Sequence, residues 1–200
     1  MAQKEICEGQ LNIKECLKSL KTGTDGLAAE LYIVFWNDVS GLLVNSLNCA
    51  YLSGSLSMTQ RRGFIKLIPK KHSELYYVQN WRPISLLNCD YKIAAKSIAN
   101  RMKICLPNLI NDQTGFLKGR YIGENIRLID SIISYAADKN IPGLLLFLDF
   151  EKAFDTLEWP FIRKTLQHYG FGPSLIKWFD TFYCITESCI LNNGWTSTFF

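Results

Sequence analysis

The sequence predicts a mixed α+β fold, on three observations. Apolar residues recur at helical spacing in several long stretches. Two pairs of short alternating segments flank turn-forming residues and read as hairpins. Between them, Leu144-Leu-Leu-Phe-Leu148 is an apolar run with no turn residue, which reads as a strand buried on both faces and ending on Asp149.

Taken in chain order, residues 9–20 carry Leu11, Ile13, Cys16, Leu17 and Leu20 as a helical stripe, broken by the turn Thr22-Gly23-Thr24-Asp25-Gly26. A long helical pattern runs from about Leu27 to Leu52, and Ser53-Gly54-Ser55 closes it. Arg62 to Pro69 reads as a strand with Phe64, Lys66 and Ile68 on one alternation. Trp81 to Leu87 is a second strand, and the two form a hairpin with Lys70, Lys71 and His72 near its tip. Residues 90–106 return to helix, ended by Pro107, which lacks an amide donor. Gln113 to Arg120 is a Gly-punctuated loop and Asn125 to Ala137 a helix. After the apolar strand a helix is expected to carry Glu151 and Phe154. Two more follow at Trp159–Tyr169 and Ser174–Phe182, split by Gly170-Phe-Gly172-Pro173. Glu187 to Phe200 alternates around Asn192-Asn193-Gly194, a hairpin turn signal. The chain stops in that second arm and reads as cut.

Two hundred residues suffice for one sizeable core. With 48% apolar and 13% aromatic residues, the chain is not a disordered one. Its net charge of +4 is only a mild pointer to polyanions. Seven cysteines, an odd number without a C-x-x-C pair or zinc spacing, read as reduced thiols of an intracellular protein with no disulfide-linked partners. The runs Leu31–Trp36 and Leu144–Leu148 are too short to span a bilayer, so no membrane partner is expected.

Two places carry candidate chemistry. Arg61, Arg62, Lys66, Lys70 and Lys71 fall within eleven residues with no acid between them. They read either as a solvated sheet edge that resists aggregation or, with the planar fork of Arg82, as a clamp on phosphates. Asp149, at the end of an apolar strand, reads either as a ligand for a hard cation such as Mg2+ or as a helix cap. A phosphate-loop NTPase also ends a strand on an acid, but it needs G-x-x-x-x-G-K-[ST], and Gly115–Gly119 is not followed by that pair. Two-metal phosphoryl or nucleotidyl transfer, with cations roughly 3.5–4 Å apart, fits better. It demands further acids. Glu151, Asp155 and Glu158 follow closely, each read as structural before it is read as a ligand.

Six strings occur in order: Thr24-Asp25-Gly26-Leu-Ala-Ala-Glu30, Leu67-Ile-Pro-Lys70, Asn80-Trp-Arg-Pro-Ile-Ser-Leu-Leu-Asn88, Tyr91-Lys92-Ile93, Gln113-Thr-Gly-Phe116 and Phe147-Leu-Asp-Phe-Glu-Lys-Ala-Phe-Asp155. Together they resemble the reverse transcriptases of LINE-type, non-LTR retrotransposons, from about residue 20 onward. The resemblance implies right-hand polymerase fingers plus partial palm: a helical lead-in over 1–20, fingers and fingers/palm helices over 21–140 and partial palm over 141–200. It implies that Asp149 is the first catalytic aspartate and binds both Mg2+ ions, helped by the backbone carbonyl of Phe150. Lys70 and Arg82 would grip the incoming triphosphate. Phe154 would crowd a ribose 2′-hydroxyl and so favour deoxynucleotides. Gln113, Gly115 and Phe116 would lie near the template. RNA template, DNA primer and dNTP are the implied partners, and a nuclear or cytoplasmic location follows from family habit.

The family's Gln-Gly-x-Pro-Leu-Ser-Pro-like stretch and its Ala/Met-Asp-Asp hairpin are not among these residues. The chain is therefore expected to be truncated before the catalytic Asp-Asp hairpin and inactive as it stands. A residual nucleic-acid-binding module and a non-functional translated relic are the rival expectations.

Overall fold

The computed structural model describes residues 6–19, 29–71 and 74–200. The turn Thr22–Gly26, the helix start expected at Leu27, and His72 lie outside them. The chain divides into two units, one built from the described residues up to Asn100 together with Phe171–Phe200, the other from Arg101–Gly170.

In the first unit, α1 (Ile13–Ser19) is followed by α2 (Ala29–Val34) and α3 (Trp36–Ser53). One continuous helix was expected where α2 and α3 stand. The break falls at Phe35, after Ile33 and Val34, whose branched side chains weaken helix. Helical spacing along α3 buries Trp36, Leu43, Val44, Leu47 and Ala50. Gly54 ends it as expected: its φ of 80° is left-handed, and its N–H reaches the Ala50 carbonyl at 2.9 Å.

Helix α3 packs on a later helix of the same unit, Pro173–Tyr183, and Trp178 is the centre of that contact. Its indole is 0% exposed, stacked at 4.8 Å on Tyr51 and 5.5 Å on Phe182. Nε1 donates to the Gly9 carbonyl at 3.1 Å, so the one polar atom is satisfied. The Asn48 side chain binds both the N–H and the carbonyl of Leu11, at 2.9 and 3.0 Å, and fixes the lead-in to α3.

A four-residue helix, α4 (Met58–Arg61), opens the sheet. β1 (Arg62–Pro69) and β2 (Trp81–Leu87) form the expected antiparallel hairpin, with Ile68 opposite Arg82 and Lys66 opposite Ile84. β3 (Glu187–Asn192) and β4 (Trp195–Thr196) form the second hairpin. Its turn residues Asn193 and Gly194 both have positive φ, 49° and 82°, as a two-residue type I′ turn requires. The two hairpins join through a parallel β1–β3 pairing, Arg62 beside Glu187, giving the order β2-β1-β3-β4. β1 is thus interior. Over residues 63–66 the reading of a solvated sheet edge is therefore overturned, since β1 is flanked there by both β2 and β3.

Helix α5 (Cys89–Leu109) continues into the second unit, where α6 (Gly123–Asp138) and α7 (Trp159–His168) follow; the Pro173–Tyr183 helix is α8. Pro107 does not end α5 but lies in its last turn. There the ring forfeits one bond close to a terminus that has orphan carbonyls anyway.

The strand expected at Leu144–Leu148 is absent. Residues 141–150 have no regular structure, and these five side chains are 44 to 90% exposed. A strand exists through its ladder partner, and the described residues of this unit hold helices and turns only. The helix expected after Asp149 is likewise replaced by turns over 151–156, with Lys152 at φ 50° and the Asp155 N–H on the Lys152 carbonyl at 2.8 Å. Among the described residues no helix is long and apolar enough to cross a membrane.

Candidate functional site

The first unit presents a basic face. Alternation along β1 puts Phe64, Lys66 and Ile68 on one side of the sheet, and register puts Arg82 on that same side, opposite Ile68. The Lys70 N–H bonds the Asn80 carbonyl at 2.8 Å, so the pairing continues one step and Lys70 joins the same alternation. Arg82 is therefore flanked diagonally by Lys66 and Lys70, roughly 7–8 Å away along the ladder. All three side chains are exposed, and none has an acidic partner among the described residues.

Arg61 and Arg62 do not join them. Arg62 Nε donates to Glu187 Oε2 at 2.6 Å, and Arg61 Nη2 stands 3.8 Å from Oε1. The Arg62 guanidinium also lies 4.1 Å from the centroid of the Phe199 ring. That hydrogen bond from Arg62 holds the Glu187 carboxyl below its ordinary value, against a smaller opposing effect of desolvation. The five-residue basic cluster thus splits. Two of its members close the β1–β3 seam, and the phosphate-clamp reading keeps Lys66 and Lys70.

The carboxylate segment belongs to the second unit. Asp149, Glu151 and Asp155 are exposed, and the rings of Phe150 and Phe154 are 76% and 85% exposed. Asp149 offers the hard oxygen that Mg2+ prefers. Among the described residues, however, no three His, Cys, Asp or Glu side chains converge in a way that could hold a metal ion. These residues do not by themselves fit a closed metal site.

The Gln113–Phe116 loop is also in this unit, and a residue not singled out from sequence organises it. The Arg120 guanidinium donates to the carbonyls of Pro107 at 3.0 Å, Gln113 at 2.8 Å and Asn111. It takes up the Pro107 carbonyl, one of those orphaned by the end of α5, and ties the loop to that helix. Its place at the end of the Gln113–Arg120 loop was the available signal, but which carbonyls it reaches depends on where α5 stops. Glu187 had no signal at all, standing 125 positions from its Arg62 partner.

Comparison with known proteins is consistent along the chain. Residues 68–200 match the reverse transcriptase (RNA-dependent DNA polymerase) family. The chain is 35% identical over 204 aligned residues to the Transposon TX1 uncharacterized 149 kDa protein of Xenopus laevis, covering 98% of this chain and 15% of that protein. It is 25% identical to the retrovirus-related Pol polyprotein from the type-2 retrotransposable element R2DM of Drosophila melanogaster, covering 79% of this chain and 15% of that one. A putative 115 kDa protein in the type-1 retrotransposable element R1DM of the same fly is 24% identical, over 79% of this chain and 16% of its own length. The chain thus spans about a seventh of the curated relatives it matches. By the family match and these relatives, the chain belongs to the reverse transcriptase (RNA-dependent DNA polymerase) family and is homologous to the polymerases of LINE-type, non-LTR retrotransposons.

Proposed function

We propose that these residues supply the fingers (21–140, after a lead-in over 1–20) and the first part of the palm (141–200) of an RNA-directed DNA polymerase. The observation that carries this reading is the register that sets Arg82 opposite Ile68, between Lys66 and Lys70 on one face. Phosphoryl transfer asks a protein for positioning and charge neutralisation more than for covalent help. Lys70 and Arg82 do both for an incoming triphosphate, Lys70 as a mobile point charge and Arg82 as a fork that donates to two phosphate oxygens.

In the same reading Asp149 would be the first catalytic carboxylate, and with the Phe150 carbonyl it would offer oxygen to Mg2+. Phe154 is a wall against a 2′-hydroxyl, and Gln113, Gly115 and Phe116 face the template. Asp149 alone cannot hold two cations, so these residues on their own do not extend a primer.

The test is a titration with a fluorescent deoxynucleoside triphosphate without divalent cation. Lys70→Ala and Arg82→Ala should each weaken binding roughly 10- to 100-fold, the worth of one charge-assisted contact. Unchanged affinity in both variants would remove the grip. Primer extension on poly(rA)/oligo(dT) with Mg2+ is the companion measurement. Product that disappears in Asp149→Ala would overturn the claim of inactivity.

A further inference from the structure

The loop between α5 and α6 is braced well beyond what a connector needs. Besides the three bonds from Arg120, Asn125 Nδ2 donates to Thr114 Oγ1 at 2.8 Å and Gln113 Nε2 to the Gly115 carbonyl at 3.3 Å. At its apex Phe116 has φ 63°, a left-handed conformation disfavoured for a side chain with a Cβ. Its ring is 93% exposed. A single exposed apolar side chain is ordinary. One held in an unfavourable backbone conformation by side chains on both sides of it is not, because a loop free to relax would turn the ring inward or change its φ. The ring contributes nothing to the core, so its open face is available to a flat ligand. Lys118, two residues on, is exposed as well.

We propose that Phe116 is a stacking platform for an unpaired nucleobase and that Arg120 is the positioning residue that presents it. The proposal rests on the reading that this loop faces the template, and it adds the contact made there. Every base has a π-face, so an aromatic ring binds single strands without choosing sequence. The neighbouring ammonium of Lys118 suits the adjoining phosphate. Arg120 acts at a distance: its guanidinium is spent on carbonyls, and its effect reaches the base through the fixed shape of residues 111–116.

The experiment titrates the 200-residue chain into a single-stranded oligoribonucleotide carrying one 2-aminopurine, whose fluorescence falls when the base stacks. The wild-type chain should quench it. Phe116→Gly relieves the left-handed strain, so it should raise thermal stability while abolishing the quench and weakening binding roughly 5- to 140-fold. Phe116→Trp should keep the quench. Arg120→Lys keeps the charge but loses the fork, and should reduce the quench while leaving the salt dependence of binding unchanged.

A wild-type quench that persists in Phe116→Gly overturns the platform, and one that persists in Arg120→Lys overturns the positioning role. Salt-sensitive binding with no wild-type quench defeats the platform while sparing the template-side reading. Absence of any binding defeats both. An identical titration with a deoxyribonucleotide strand should give the same quench, since the ring does not read the 2′-hydroxyl.

Discussion

The sequence offers six cations around the first hairpin, and the structure sets three of them, Lys66, Lys70 and Arg82, on one open face of the sheet; if that face meets phosphate as proposed, salt dependence counts them. Arg61 and Arg62 are engaged by Glu187, whereas Lys66, Lys70 and Arg82 share one open side of the sheet. For single strands, log Kobs falls with log[salt] by roughly 0.7 per neutralised phosphate. The three together should therefore contribute a slope of about −2.1, which between 50 and 200 mM salt is roughly an 18-fold loss of affinity. Each of Lys66→Ala, Lys70→Ala and Arg82→Ala should make the slope shallower by about 0.7, and the triple variant by about 2.1. Arg61→Gln should leave it unchanged. The assay is fluorescence anisotropy of a labelled oligoribonucleotide at a series of potassium chloride concentrations. Using slope differences removes the constant contribution of cations elsewhere. If Arg61→Gln changes the slope as much as Lys70→Ala does, the division of the cluster is wrong. If the triple variant keeps the wild-type slope, the face does not meet the phosphates of an RNA strand.

Two further outcomes test the frame that holds this face. Trp178→Ala should cost about 3–5 kcal/mol in urea unfolding, as for a large buried aromatic, and Trp178→Phe about 1 kcal/mol for the lost bond to Gly9; a loss under about 1 kcal/mol for the alanine variant would show that the α3–α8 contact is not central. Glu187 is held below its ordinary value near 4.5 by the Arg62 hydrogen bond, so its contribution to stability is present above that value and lost as pH falls through the lower folded one. The wild-type melting temperature should therefore drop more between pH 6 and pH 3 than that of Glu187→Gln, and equal drops would exclude the pair as a source of acid sensitivity.

What could be read from sequence was what short-range chemistry decides. Gly54 ends α3 because the left-handed region is open to glycine, and Asn193-Gly194 makes a hairpin because both positions take positive φ. The hairpin bounds at Arg62–Pro69 and Trp81–Leu87 followed from alternation between turn residues. The union of the hairpins did not. Nothing in the local pattern of Arg62 or Glu187 says that they meet, because a parallel pairing across 125 positions is chosen by the whole unit. The same gap explains the basic cluster. Charge spacing counted five like residues, and tertiary pairing sorted four of them, Arg61 and Arg62 into the seam and Lys66 and Lys70 onto the face.

Asp149 shows the other side of that limit. Sequence singled out Asp149 as a candidate donor, since an acid ending an apolar run has few reasons to be there. It misjudged the run itself, because composition reports what a segment would gain by burial and not whether a ladder partner is within reach. Leu144–Leu148 lies mostly in water, although burying each such side chain is worth about 1.5–3 kcal/mol. The burial of this run and the chemistry of Asp149 depend on the same event. A strand pairing alongside 144–148 would cover the leucines, satisfy their backbone groups and hold the carboxylate at a fixed point on the sheet's rim, where further acids can be set beside it. Without that ladder, Asp149 is a solvated side chain in an irregular segment, and a solvated carboxylate does not position a reacting phosphate. On the proposed reading, core and carboxylate are therefore one problem: a ladder that buried Leu144–Leu148 would also be the contact that fixes Asp149 where a metal ligand is needed.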